Sequence, residues 1–245
     1  MIKVITIDFW NTLFDSSNGV KRNSARQHVL YEEISKYNVE VSNEDYDKAL
    51  KASWEYFNNI WMNEQRTPLT EDTITFFWNF LKLPYDRYSI EKVAKVFKDS
   101  ILDYPPQLMD GAQEFLNKFF KSTKIGLISD TGFTPGSILV ELMEINGVAQ
   151  YFSKYSFSDE TGVSKPNPKA FFTILKEFNF EPHEAIHIGD IEKTDIIGAK
   201  SIGMYALRFD GDKSNNLIKN NPPNTIADFK CDSWYEIISI IEKMI

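Results

Sequence analysis

The chain begins on a buried-strand pattern, and the next such pattern comes only after residue 105. Residues 2–8, IKVITID, are short, β-branched and apolar, and they end on an acid. That is the pattern of a strand covered on both faces. A polar turn follows at 15–19, and residues from about 20 to 104 then read as helical with no strand pattern among them. Ser42 with Glu44 and Asp45 marks a helix start. Trp54, Phe57 and Trp61 recur at three- and four-residue spacing, on one helix face. Residues 70–82 and 89–102 predict two further helices, the second burying Val93, Val96 and Phe97. After the Pro105–Pro106 pair the pattern alternates. Helices are expected over 110–120, 167–178, 194–202 and 233–244. Strands are expected over 124–129 (KIGLIS), 152–157, 185–189 (AIHIG) and 204–209. Alternating strands and helices predict a parallel, doubly wound α/β sheet, with ligands at the carboxyl ends of the strands. The helical stretch interrupts that sheet just after its first strand, so it is an insertion over the strand ends. The expected organisation is an α/β core of residues 1–15 and 105–245 with an inserted all-helical domain of residues 16–104.

Composition limits the function classes. Of 245 residues, 42% are hydrophobic and 25% charged, which is the balance of a globular protein with a sizeable core. The net charge of -8 gives no help with a polyanion, so nucleic acid is not an expected partner. A small phosphate ester stays open, because a cation and a few local donors override the global field. The lone Cys231 allows no intramolecular disulfide and reads as an inert buried thiol. The N-terminus has no long apolar segment with a cleavage site, and no apolar run approaches the ~18 residues of a membrane span. A cytoplasmic location without membrane contact is the expectation. Oligomeric state is not encoded in any readable pattern.

Four groups carry chemistry. Asp8 closes the first strand in DFWNTLFD, where a carboxylate serves either as nucleophile and metal ligand or as a helix N-cap. Ser129 closes the second strand in GLISDTGF, placed to donate to a phosphoryl oxygen or to cap the next helix. Lys165 stands before Pro166 in SKPNPKAF, in a segment stiff enough to aim its ammonium; the alternative is a solvated surface lysine. Asp190 and Asp195 lie in HIGDIEKTDIIGA. With Asp8 they would repel one another and invite a hard cation such as Mg²⁺; singly, they suit a helix start.

These groups, in this order, resemble the four motifs of the haloacid dehalogenase superfamily: D-x-x-x-T (Asp8, Thr12), the strand-end Ser/Thr (Ser129), Lys-Pro (Lys165) and G-D-x-x-x-x-D (Asp190, Asp195). The likeness spans residues 4 to 209. It implies a Rossmann-like parallel sheet core, the helical insertion being a cap domain, and Mg²⁺-dependent phosphohydrolase activity on a small phosphorylated metabolite. By the resemblance Asp8 becomes an aspartyl-phosphate. The ion is held by Asp8, the Trp10 carbonyl, Asp190 and Asp195. Ser129 and Lys165 hold the phosphoryl oxygens, with Thr12 and Asp130 completing the substrate contacts.

One position departs from the phosphatase pattern. Phosphatases of that superfamily carry a second Asp two residues after the nucleophile as general acid, and here that residue is Trp10. Three readings follow. One is a phosphohydrolase that works on good leaving groups or borrows an acid such as Asp15, Glu55 or Glu64. Another is a 2-haloacid dehalogenase-like enzyme, whose branch is aromatic at this position and attacks carbon without metal. That branch also uses an early-cap Arg to receive halide; Arg22 and Arg26 are candidates, though neither stands at its spacing. The last is a non-catalytic binding module, which four retained charged groups disfavour. The cap aromatics, Trp54, Trp61 and Trp78, are expected mainly as packing residues, and His187 as a packed strand residue.

Overall fold

A computed structural model describes residues 1–213 and 221–245. Among them, β1 (Val4–Ile7), β2 (Lys124–Ser129), β3 (Lys154–Phe157), β4 (Ala185–Gly189), β5 (Tyr205–Phe209) and β6 (Phe229–Cys231) form one sheet in the order β3-β2-β1-β4-β5-β6. All pairings are parallel. The fold is the expected Rossmann-like α/β sheet. Successive strand residues face opposite sides. Ile5 and Ile7 of β1 join Ile125 and Leu127 of β2 in one core, while Val4 and Ile128 join the other.

Helices cover both faces. α5 (Ala112–Phe119), α6 (Gly136–Ile145) and α10 (Trp234–Ile241) pack on the first side. α8 (Pro168–Phe178) and α9 (Ile197–Ser201) pack on the second. A short α7 (Ser158–Thr161) follows β3. From β1 the chain builds outward through β2 and β3, then returns to β4 on the other side of β1. The crevice at that reversal is where such sheets bind ligands. Asp8, Ser129 and the Gly189–Asp190 pair all stand at its edge.

Between β1 and α5 lie α1 (Gly19–Ile34), α2 (Asn43–Asn63), α3 (Thr70–Phe80) and α4 (Arg87–Asp103). They enclose a separate core that includes Leu30, Tyr46, Phe77, Trp78 and Val93. Ser42 caps α2 as expected, its hydroxyl accepting from Asp45 N–H at 3.1 Å. Asp86 does the same for α4 through Tyr88 N–H at 2.9 Å.

Some elements differ from the sequence expectation. α6 and β6 were not expected. The α6 segment, GSILVELMEI, is short and mostly apolar, and only Ser137, Glu141 and Glu144 mark its exposed face. β6 has three residues and owes its strand form to pairing with β5. The helix expected over 194–202 begins earlier, as a wide π-type turn over Glu192–Ile196, and Ile196 N–H reaches Ile191 O at 3.4 Å. Cys231 is buried in β6, and burial with nearby Glu236 and Asp232 pushes its thiol up to about 11. No helix among the described residues is long and apolar enough to cross a membrane.

Candidate active site

The strand ends bring the sequence motifs together. Asp8 N–H donates to Ile188 O at 2.9 Å, which fixes the residue between β1 and β4. Lys165 reaches it from a loop held at two points. Ser164 N–H donates to Gln65 O at 2.6 Å, and Lys165 N–H donates to Asp130 Oδ1 at 2.9 Å. The Lys165 ammonium, 2% exposed, then donates to Asp8 Oδ1, to Asp195 Oδ1 at 2.7 Å and to Ile128 O at 3.1 Å. The solvated-lysine alternative is therefore excluded by position.

Electrostatics follow from this burial. Burial pushes the Asp8 carboxyl up to about 7 against the pull of Lys165. Burial, then Asp8 and Asp195, raises Asp190 well above the usual carboxylate range. Burial opposes the charge of Asp195 as well, but Lys165 and His187 outweigh it and hold that carboxyl low. Burial alone would discharge Lys165, yet Asp195, Asp8 and Asp130 raise it, so the ammonium persists.

Asp195 belongs to a chain of contacts that the sequence did not reveal. Its Oδ1 also meets His187 Nε2 at 3.0 Å, and His187 Nδ1 meets Thr6 Oγ1 at 2.9 Å. An ionised Asp195 accepts only, so Nε2 carries the proton and Nδ1 accepts from Thr6. Burial lowers the His187 pKa, which keeps the ring neutral. Thr6 and His187 are register partners in the β1–β4 ladder, a pairing no single sequence displays. Asp195 Oδ2 accepts from Ile191 N–H at 3.0 Å and Thr194 Oγ1 at 3.1 Å. Both of its oxygens are thus occupied by protein donors.

Gly189 makes this packing possible. A Cβ there would lie 2.4 Å from Asp195 Cγ. Gly189→Ala is expected to destabilise the fold by about 1–3 kcal/mol through overpacking. Urea denaturation would read the loss, and an unchanged midpoint would remove the packing role assigned to Gly189.

Two hydroxyls are unspent. Ser129 Oγ and Thr12 Oγ1 are buried and have no hydrogen-bond partner among the described residues. Orphaned buried hydroxyls cost free energy unless a ligand satisfies them. Asp130 differs. Its Oδ1 holds Lys165 N–H, and its Oδ2 accepts from the Trp61 indole at 2.8 Å, tying α2 to the strand-end loops. Burial pushes its carboxyl up to about 6.

A magnesium ion takes a few carboxylates and keeps several waters. Asp8 and Asp190 are buried carboxylates, and Asp8 raises the pKa of Asp190, a repulsion a cation relieves. Among the described residues no three acidic, imidazole or thiol side chains gather as a metal cluster. Two carboxylates on one cavity, with water completing the set, need no third side chain, so the donor chemistry present fits the ion.

A cavity of about 820 Å³ extends from these groups to the helical region. Asp8, Asp130, Lys165, Asp190 and Asp195 line it, and so do Trp54, Phe57 and Trp61 of α2. Those three aromatics are therefore cavity walls, while Trp78 is core as expected. Trp10 also lines the cavity, edge-on to Phe9 at 5.0 Å between ring centroids. The three candidate substitute acids lie elsewhere. Glu55 and Glu64 are exposed beside Lys51 and Arg66. Asp15 Oδ1 accepts from Ser17 N–H at 3.0 Å and Gln107 N–H at 2.8 Å, joining the two ends of the helical block.

Comparison with known proteins agrees with this architecture. The family model of the haloacid dehalogenase-like hydrolases matches residues 2–203. A glyceraldehyde 3-phosphate phosphatase of Pyrococcus furiosus is 26% identical over 243 residues, covering 99% of this chain and 94% of that one. A protein of the same description from Methanopyrus kandleri is 31% identical over 98 residues, 40% of this chain and 42% of the relative. The solved structure of a 2-haloacid dehalogenase from Pseudomonas syringae pv. Tomato DC3000 superposes with a TM-score of 0.74 at 20% identity, covering all of both chains. That likeness concerns the fold.

Proposed function

The chain belongs to the haloacid dehalogenase-like hydrolases, and on that premise we propose that it is a magnesium-dependent phosphohydrolase of a small phosphorylated metabolite. In this reading residues 16–104 are the cap of a core made by residues 1–15 and 105–245. The observation that carries it is the buried Asp8–Lys165 contact at the strand ends, with unpartnered buried hydroxyls on Ser129, next in the chain to the Ile128 carbonyl that Lys165 reaches, and on Thr12, four residues beyond Asp8. Together they offer donors, a cation and a nucleophile to one tetrahedral anion. Phosphatase-named relatives support the same chemistry.

Asp8 attacks phosphorus, the ester oxygen leaves, and Asp8 carries the phosphoryl group until water releases it. Lys165 orients the Asp8 carboxylate and neutralises the phosphoryl oxygens, while Ser129 and Thr12 donate to them. Asp195, held by His187 and through it by Thr6, keeps the ammonium charged and aimed. Asp130 fixes the Lys165 backbone. Asp8, Asp190 and the Trp10 carbonyl would hold a magnesium ion, which would supply charge neutralisation at the phosphoryl group. Asp195 serves through Lys165 in this scheme, not as an ion ligand, because its oxygens are already occupied.

Trp10 supports one second reading, attack of Asp8 on the carbon of a 2-haloacid. Hydrolysis of p-nitrophenyl phosphate with Mg²⁺ and with EDTA separates the two, measured beside a simple alkyl phosphate and L-2-chloropropionate. Nitrophenolate leaves without an acid, so Trp10 does not block it. The expected result is Mg²⁺-dependent aryl cleavage with little alkyl cleavage. Chloride release that survives EDTA, without phosphatase activity, would transfer the protein to the dehalogenase reading.

A further inference from the structure

The cavity has a basic wall that the phosphoryl site does not use. Arg22 and Arg26, one turn apart on α1, both line it. Neither makes a salt bridge with any described residue. Arg22 Nη1 donates to the carbonyls of Ser17 at 2.8 Å and Tyr104 at 2.7 Å. Arg26 Nε donates to Ser100 Oγ at 3.2 Å and its Nη2 to Phe97 O at 3.0 Å. The Arg26 guanidinium also lies 5.5 Å and 5.3 Å from the ring centroids of Phe97 and Phe133. All these partners are neutral. They hold the two side chains in place, and no acid pairs directly with either guanidinium.

The acid that Arg22 senses is Asp15, whose Oδ1 is already committed to Ser17 and Gln107. Burial pushes Arg26 down to about 10, and the neighbouring Arg22 adds to it. Two adjacent cations out of bulk water, fixed by neutral acceptors, are costly without an anion. Among the acids of the cavity, Asp130 and Asp195 are bonded elsewhere and Asp8 faces Lys165. A guanidinium pair is well suited to a planar or tetrahedral oxyanion.

We propose that Arg22 and Arg26 form a receptor for a second anionic group on the substrate, a carboxylate or a second phosphate, at the end away from the transferred phosphoryl group. Trp54, Phe57 and Phe133 line the same cavity and give it an apolar wall for the rest of the substrate. The substrate class is then a phosphate monoester carrying an additional acid, which a neutral-ended sugar or aldehyde phosphate does not satisfy. This inference rests on the phosphohydrolase reading.

Calorimetric binding to the Mg²⁺-loaded protein tests it without turnover. The probes are alkyl- and arylphosphonates of graded length ending in carboxylate, in a second phosphonate, or in the matching neutral methyl ester. At one length, an anion-ended probe is expected to bind at least about tenfold tighter than its ester. Which anion wins identifies the group. Arg26→Gln is expected to remove most of that advantage and Arg26→Lys to retain part of it. Equal binding of acid and ester at every length overturns the inference while leaving the phosphohydrolase reading intact. So does an advantage that survives both Arg22→Gln and Arg26→Gln. If no phosphonate binds, the phosphohydrolase reading fails and takes the inference with it. The wild-type comparison decides the matter even if a variant does not fold.

Discussion

Asp8→Asn is expected to lower kcat for p-nitrophenyl phosphate by a factor on the order of 10³ or more while leaving the fold intact. The amide matches the carboxylate in shape but cannot attack phosphorus. The structure also explains why folding survives. Burial already disfavours the Asp8 charge, and Lys165 keeps Asp195 as a partner at 2.7 Å after the change. Circular dichroism melting beside the kinetics separates catalysis from stability. Residual activity within about tenfold of wild type, a loss of only ~1.4 kcal/mol, would end the assignment of Asp8 as nucleophile.

Trp10→Asp is expected to raise alkyl phosphate hydrolysis relative to aryl phosphate hydrolysis by about 10²-fold, the lower end of what general acid catalysis supplies. Trp10 lines the cavity two residues beyond Asp8, so a carboxyl there faces the same space. The aryl reaction gains little, because its leaving group needs no proton. The ratio of kcat/KM values for the two substrates is the measurement. A ratio that does not move, in a variant that still melts cooperatively, would show that proton donation at this position is not what limits the enzyme. It would also direct attention to the cavity carboxyl of Asp130, which burial pushes up to about 6.

Much of the core could be read directly from the chain. β2 and β4 match the expected 124–129 and 185–189 because their runs are short, β-branched and bounded by turn residues. α6 was missed because it is short and mostly apolar, with only Ser137, Glu141 and Glu144 to mark its polar face, and β6 because three residues carry no pattern. The site divides in a similar way. Asp8, Ser129, Lys165 and Asp190 stand at strand ends or beside a proline, positions with a local signature. His187 looked like a packed strand residue, and its contact with Asp195 depends on how β4 registers against β1.

The sequence by itself determined the order of the elements, the parallel α/β core, the interruption by helices and the residues that meet at the strand ends. Each of these follows from short-range periodicity or from turn chemistry next to it. The tertiary structure decided which donors Asp195 spends its oxygens on and which α2 aromatics face the cavity. It also left Asp15, Glu55 and Glu64 tied up or outside the cavity, and set Arg22 and Arg26 among neutral partners. These are relations between residues far apart in the chain. They depend on strand register and on the direction each side chain takes from its backbone, and neither quantity has a local code.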